Sequence, residues 1–183
     1  MAKCLASCKA EHARPAWDYF ELWRDANWAF ADPPARVPVK GQGIYEPLSL
    51  QVRDTNGLPW NVGLAAVKPL VPLGLTVRSP RPAEREVGGA FRTNLLAAVK
   101  DQELELAVMV ASPNRTAVAF VYAGPELLQQ RLLAEGWVRL EPAEARLLPL
   151  REQYALRLAE RTARREKRGG WAEELRPPAG PPR

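Results

Sequence analysis

The chain has 183 residues, 46% of them hydrophobic, which suits one domain with a sizeable core plus extensions and would be crowded for two. Its net charge of +5 fits an acidic partner (nucleic acid, an anionic membrane surface or an acidic protein) without choosing among them. Two cysteines and one histidine are too few for a disulfide-stapled secreted scaffold or for a closed four-ligand zinc site. The spacing of Cys4 and Cys8 can also be half of an organellar oxidative-import motif, but the second half is absent, so they are taken as small thiols without chemistry. The apolar stretches 62–75 and 104–122 are interrupted by Pro69, Pro72, Ser112, Pro113 and Asn114, short of the roughly 20 residues of a membrane span. The N-terminus lacks an apolar signal core, which argues against secretion, and an Arg/Ser-rich presequence is also missing.

Three regions are expected: an extension over 1–38, a domain over 39–172 and a Pro-rich tail over 173–183 without regular structure. In the extension, Tyr19, Leu22, Trp23, Ala26 and Phe30 fall on one helical stripe, and Trp17, Phe20 and Trp28 on a second. A helix apolar around most of its circumference either completes the core of its own domain or docks on another subunit, where Trp and Tyr are the usual anchors. Trp17, Tyr19, Phe20, Trp23, Trp28 and Phe30 are therefore candidate partner-interface residues. Asp32-Pro33-Pro34 ends the helix, since proline cannot continue it.

Residues 37–77 turn extended. Residues 44–52 alternate in part, Asn56-Gly57 signals a hairpin turn, and 58–67 is the returning strand. Another short strand is expected at 74–77. A helix follows over 84–100, with Val87, Phe91, Leu95 and Val99 at fourfold spacing. Residues 104–111 alternate at first and then run continuously apolar. Ser112-Pro113-Asn114 turns the chain into the strand 117–122. Gly124-Pro125 is expected to open the next helix, carrying Leu127, Leu128, Leu132 and Leu133, with Gly136 as its C-cap. After a short extended piece at 137–140, one last helix is expected over 142–167, with Leu147, Leu150, Tyr154 and Leu158 as its apolar face. This order predicts an α+β domain, a small closed barrel flanked by helices. Arg157, Arg161, Arg164, Arg165 and Arg168 line the last helix as a basic surface that could touch phosphates. Glu160 and Glu166 dilute the run, so it equally describes a solvated helix face.

Several of these segments together resemble a known family. The run Gly89-Ala90-Phe91-Arg92-Thr93-Asn94-Leu95-Leu96, then Lys100 and Leu104-Glu105-Leu106, resembles the first helix and next strand of staphylococcal-nuclease-like domains. Residues 117–122, Gly124-Pro125 and LLQQRLLAEGW at 127–137 are similar to the strand, turn and Leu-rich helix that follow. Residues 154–171, closing on Gly169-Gly170-Trp171, look like the family's last helix and its Gly-x-Trp signature. The resemblance covers 77–171 and reaches more weakly back to Val39. It implies an OB-type β-barrel with flanking helices.

In that family, cleavage of a phosphodiester needs a calcium ion held by carboxylates, arginines that clamp the phosphate and a carboxylate base. The family's Asp-x-Pro-Glu run falls here on Val77-Arg78-Ser79-Pro80-Arg81, so Arg78 stands where a metal-binding carboxylate should be and Arg81 where the base should be. The place of the first phosphate-clamping arginine falls near Leu73. Asp54-Thr55 resembles another acidic motif of the metal site, although Asp54-Thr55-Asn56-Gly57 is also ordinary hairpin chemistry. Arg115 lies within one residue of the family's second catalytic arginine, or is a solvated turn residue. The resemblance thus implies a degenerate member with no catalytic residues, no metal and no cofactor. It is similar to eukaryotic members associated with mitochondria and their inner membrane. The expected function is a structural or accessory subunit of a larger complex, such as a respiratory-chain or ATP-synthase assembly, bound to other protein subunits next to the membrane. A non-cleaving nucleic-acid-binding protein, such as a mitochondrial ribosome component, is the alternative, and a calcium-dependent nuclease the remote one.

Overall fold

A computed structural model of the chain describes residues 35–70 and 82–172. The extended first part folds as β1 (Arg36–Glu46), β2 (Ser49–Arg53), β3 (Pro59–Leu64) and a short β4 (Val67–Pro69). The segment 44–52 expected as one strand is broken at Pro47-Leu48, because proline has no N–H for a ladder, and its halves belong to β1 and β2. Asn56-Gly57 turns the chain between β2 and β3 as expected, with Gly57 at a φ of 77°. The expected strand 74–77 lies outside the described residues, as do the N-terminal helix and the tail.

After α1 (Pro82–Val99) come β5 (Glu103–Ser112) and β6 (Thr116–Ala123). The strands pair in the order β3-β2-β1-β5-β6, antiparallel throughout, and β6 closes on β3 in parallel. The result is a closed five-stranded mixed barrel, compatible with an OB-type barrel. Val39, Leu50, Val52, Val62, Leu64, Leu104, Leu106, Ala117, Ala119 and Val121 fill it, on the alternating positions that a strand turns inward. Small residues on β6 leave room for the branched chains opposite.

Phe91, Leu95 and Val99 are the buried stripe of α1, and each contributes roughly 1.5–3 kcal/mol by leaving water. The end of α1 sits directly on β1. A Cβ on Gly41 would stand 1.9 Å from the Val99 carbonyl oxygen, so only glycine fits there. Gly41 also donates to the Gln102 carbonyl and accepts from Asp101 N–H, at 2.9 and 3.0 Å.

Past β6 the structure differs from the sequence-based expectation. Gly124-Pro125 does not open a helix: it is a two-residue hairpin between β6 and β7 (Glu126–Leu127). Proline cannot adopt positive φ, so Gly124 alone supplies it, at 60°, as a type II′ turn requires. Helix α2 (Leu128–Ala134) then begins at Leu128. Its end follows the glycine C-cap expectation. Gly136 has a φ of 76°, its N–H bonds the Leu133 carbonyl and Trp137 N–H bonds the Leu132 carbonyl, the paired bonds of a Schellman motif. β8 (Val138–Leu140) follows and pairs with β4.

The single last helix expected over 142–167 is two helices, α3 (Pro142–Ala145) and α4 (Leu150–Arg165). Pro149 lacks an N–H and disfavours helical backbone in the residue before it, so the chain leaves the helix and restarts. Gln153 turns back and donates to the Leu148 and Arg146 carbonyls that the break leaves open, at 2.7 and 3.3 Å. The phase of the apolar face shifts accordingly. Gln153, Leu156 and Ala163 are buried on α4, whereas Leu147 and Leu158, expected inside, are exposed. The Gly169–Trp171 turn locks the end of α4 onto α2, with Gly170 N–H bonding the Gly136 carbonyl at 2.8 Å. Among the described residues, no helix is long and apolar enough to cross a membrane.

Candidate functional site

The parallel closure of β3 on β6 places the starts of both strands at one end of the barrel. The β2–β3 turn and the β5–β6 turn therefore lie side by side there, and with them Asp54 and Arg115. Asn61 N–H, at the start of β3, bonds the Arg115 carbonyl at 3.0 Å. The two residues that the family resemblance singles out are thus brought together, as a nuclease site would need.

Their bonding differs from that of a metal site. Asp54 Oδ1 accepts the N–H groups of Asn56 and Leu58, both at 2.9 Å, and Oδ2 accepts the Trp60 indole N–H at 3.2 Å. The Asp54 main chain closes the same turn, its N–H bonding the Leu58 carbonyl and its carbonyl accepting from Gly57. The Leu58 N–H holds the Asp54 carboxyl below its ordinary range, helped by Trp60 and Asn56 and, more weakly, by the Arg115 charge, with partial desolvation opposing. The carboxylate is an acceptor for its own hairpin. Arg115 has a φ of 59° and its N–H bonds the Ser112 carbonyl, the geometry of a turn residue. Arg78 and Arg81 lie outside the described residues. Among the described residues, no three of His, Cys, Asp and Glu gather as metal ligands would.

The basic candidates occupy one side of α4 and the turn after it. Arg157 is half-buried, and Arg161, Arg164, Arg165 and Arg168 are exposed. Arg164 pairs with Glu160 at 3.1 Å and stacks 4.2 Å above the Trp171 ring. Arg165 pairs with Glu166 at 3.4 Å, and Arg168 pairs with Glu166 and bonds the Ala134 carbonyl. The surface is cationic yet knitted to its own glutamates. The aromatic candidates Trp17, Tyr19, Phe20, Trp23, Trp28 and Phe30 lie outside the described residues.

Two features had no sequence-level expectation. On the outer barrel wall Arg36 lies 3.6 Å above the Tyr122 ring, with Glu105 at 3.2 Å and Glu152 at 3.8 Å from its guanidinium. Tyr122 donates to Glu152 at 2.8 Å, so burial and that carboxylate push the phenol well above its ordinary range. The cluster ties α4 to the barrel. The second feature is a cleft of about 40 Å³ between α1 and the β1–β2 turn, lined by Ile44, Pro47, Gly88, Phe91 and Arg92. Its volume suits a few waters. No sequence signal finds the Arg36 cluster, because its members are 17 or more residues apart.

The chain matches no protein-family model and no curated protein.

Proposed function

We propose that this chain is a non-catalytic, staphylococcal-nuclease-like OB-type domain serving as a structural or accessory subunit of a larger protein assembly. The observation that carries the proposal is the use of Asp54, whose two carboxylate oxygens accept three N–H groups of their own hairpin. A calcium site needs carboxylate lone pairs directed at the ion, and withdrawing them would open this turn. Support also comes from the sequence: Arg78 and Arg81 stand at the family's acidic positions and would repel a cation. The aromatic extension supplies anchors for other subunits. The family resemblance suggests a mitochondrial inner-membrane complex, of the respiratory-chain or ATP-synthase kind, as the setting.

The test joins an activity assay to a fractionation. The purified chain with calcium should leave single- and double-stranded nucleic acid intact, and the native chain should migrate in a membrane complex from which deletion of residues 1–35 releases it. Calcium-dependent cleavage abolished by Asp54→Ala would refute the proposal. So would a native protein found only as a free species.

A second possibility, nucleic-acid binding without cleavage, is favoured by the arginine side of α4. Arg157, Arg161, Arg164 and Arg165 follow one helical stripe, as a phosphate track would, and Arg168 lies in the turn after it. A salt-dependent mobility shift of labelled single strands, lost on neutralising Arg161 and Arg165, would support this alternative over the first.

A further inference from the structure

On α4 the acids turn inward and the arginines outward. The helix packs on α2, β8 and the Gly169–Trp171 turn, burying Gln153, Leu156 and Ala163. Its two acidic residues follow that side. Glu152 accepts the Tyr122 hydroxyl at 2.8 Å, and Glu160 accepts the Leu140 N–H at 3.0 Å and is 15% exposed. The opposite face is the stripe Arg151, Tyr154, Leu158, Arg161 and Arg165, at alternating spacings of three and four. Leu158 on this stripe is 42% exposed, and Leu147 just before the helix is 47% exposed. One flank of the stripe carries Arg157 and Arg164, the other the small Ala155 and Thr162. The outer face is thus apolar along its middle, cationic around it and without an acid of its own helix.

The segment before β1 has the complementary chemistry. Residues 15–32, whose pattern predicts a helix as far as Phe30, hold Asp18, Glu21, Asp25 and Asp32 against the single Arg24. Asp18, Glu21 and Asp25 recur at three and four residues and form one flank of the stripe Tyr19, Leu22, Trp23, Ala26 and Phe30. The segment also joins the domain beside α4. Arg36, the first residue of β1, reaches Glu152 in the first turn of α4 at 3.8 Å.

We infer that residues 15–30 lie antiparallel along the outer face of α4, with the Tyr19 stripe on Tyr154 and Leu158 and the acidic flank beside Arg157, Arg161 and Arg164. Chain length selects this segment as the occupant. The linker 31–35 spans at most roughly 17 Å, which keeps Phe30 near the start of α4. A segment tethered there and lying along α4 runs against it, and its helix of about 24 Å matches the roughly 21 Å from Arg151 to Arg165. Handedness then sorts the charges. Antiparallel packing sets the acidic flank on the Arg157 and Arg164 side, whereas parallel packing would set it over Ala155 and Thr162. The inference goes beyond the assembly role proposed above and does not rest on it, since Trp17, Phe20 and Trp28 point away from α4 and stay available to another subunit.

The test is cross-linking of the isolated full chain, with Cys4→Ser and Cys8→Ser to remove background thiols. With Phe30 level with Arg151, Asn27 comes within one turn of Ala155, and Ala16 within one turn of Thr162. A short, rigid bis-maleimide should join Asn27→Cys to Ala155→Cys, and Ala16→Cys to Thr162→Cys, within single chains whose circular dichroism is unchanged. The exchanged pairs, Ala16 with Ala155 and Asn27 with Thr162, are about 12 Å or more apart along the helices and should link at least about fivefold less. Arg161→Glu should lower both yields several-fold, and Glu21→Arg in the same chain should restore them, a recovery that misfolding would not give. Absence of any link overturns the inference, as do equal yields from the exchanged pairs. So does a linked product of twice the chain mass, which would put the segment on a second copy. None of these failures touches the assembly reading, which is tested by fractionation.

Discussion

The side-chain carbonyl of Gln129 accepts the backbone N–H of Val121 at 3.2 Å, at the point where β6 has left β3 and not yet met β7. β3 accompanies β6 as far as Ala119, and β7 takes over at Tyr122. In the gap the side chain of Gln129 replaces a strand, also donating to the Ala119 carbonyl at 3.0 Å. An amide is suited to this, because it presents one donor and one acceptor as the missing strand would. Gln129→Leu keeps the volume and strands the Val121 N–H in the core. It should cost about 1–3 kcal/mol, read as a fall in the urea midpoint at unchanged slope.

The Asp54 turn gives a prediction with a defined pH dependence. Its folded pKa lies below the ordinary value, chiefly through the Leu58 N–H. A depressed carboxyl contributes stability above the unfolded pKa of ~3.9 and loses it as pH falls through the folded value. Asp54→Ala should therefore unfold at lower urea than the parent at neutral pH, and the gap should narrow on titration into strong acid. A gap that is constant with pH would show that the ionised carboxylate is not what holds the hairpin.

Glycine substitutions should separate by position. Gly136→Ala forces a φ of 76° on alanine and drives its Cβ to 2.2 Å from the Arg168 carbonyl oxygen, a backbone atom with little room to move. The loss should be about 2–5 kcal/mol, combining the left-handed backbone cost with overpacking. Gly89→Ala, in the exposed middle of α1 with open space around the new methyl, should stabilise by ~0.5–1 kcal/mol. Paired thermal melts test both signs.

Tyr122 should resist ionisation. Burial comes first, and then the hydrogen bond to Glu152, in raising its phenol above the ordinary range. A raised acid gives stability that is complete below the unfolded pKa of ~10 and drains away as pH climbs towards the folded value. Absorbance at the phenolate band should therefore show a late component that appears only as the chain unfolds in base. Tyr122→Phe should remove that late component, and Glu152→Gln should bring it to lower pH.

The elements with strong periodicity or turn chemistry were legible in the sequence. The α1 stripe Phe91, Leu95 and Val99, the Asn56-Gly57 hairpin and the Gly136 cap rest on interactions within a few residues, and each occurs where the local pattern puts it. The strand expected over 58–67 is split into β3 and β4 at Ala65-Ala66, where Ala66 takes a φ of 60°, and the other misplaced boundaries are at prolines. Pro47, Pro125 and Pro149 each permit a turn, a hairpin or a helix start, and only the neighbours packed around them select one. The bulge at Met109 left a trace, since the alternation of β5 gives way to a continuous apolar run, but which side chain it would expose was not visible in that run.

By itself the sequence determined the α+β class, the turn that consumes Asp54 and the position of the basic residues along the last helix. These follow from backbone chemistry and from 2- and 3.6-residue periods, which are properties of neighbours in the chain. Only the tertiary structure decided that Asp54 and Arg115 share one end of the barrel, that Arg36 stacks on Tyr122 and that the bulge at Met109 turns Val110 outward. Those relations come from which strands pair and in what register. Pairing is selected by burial of the whole set of inward side chains at once, so no single segment encodes it.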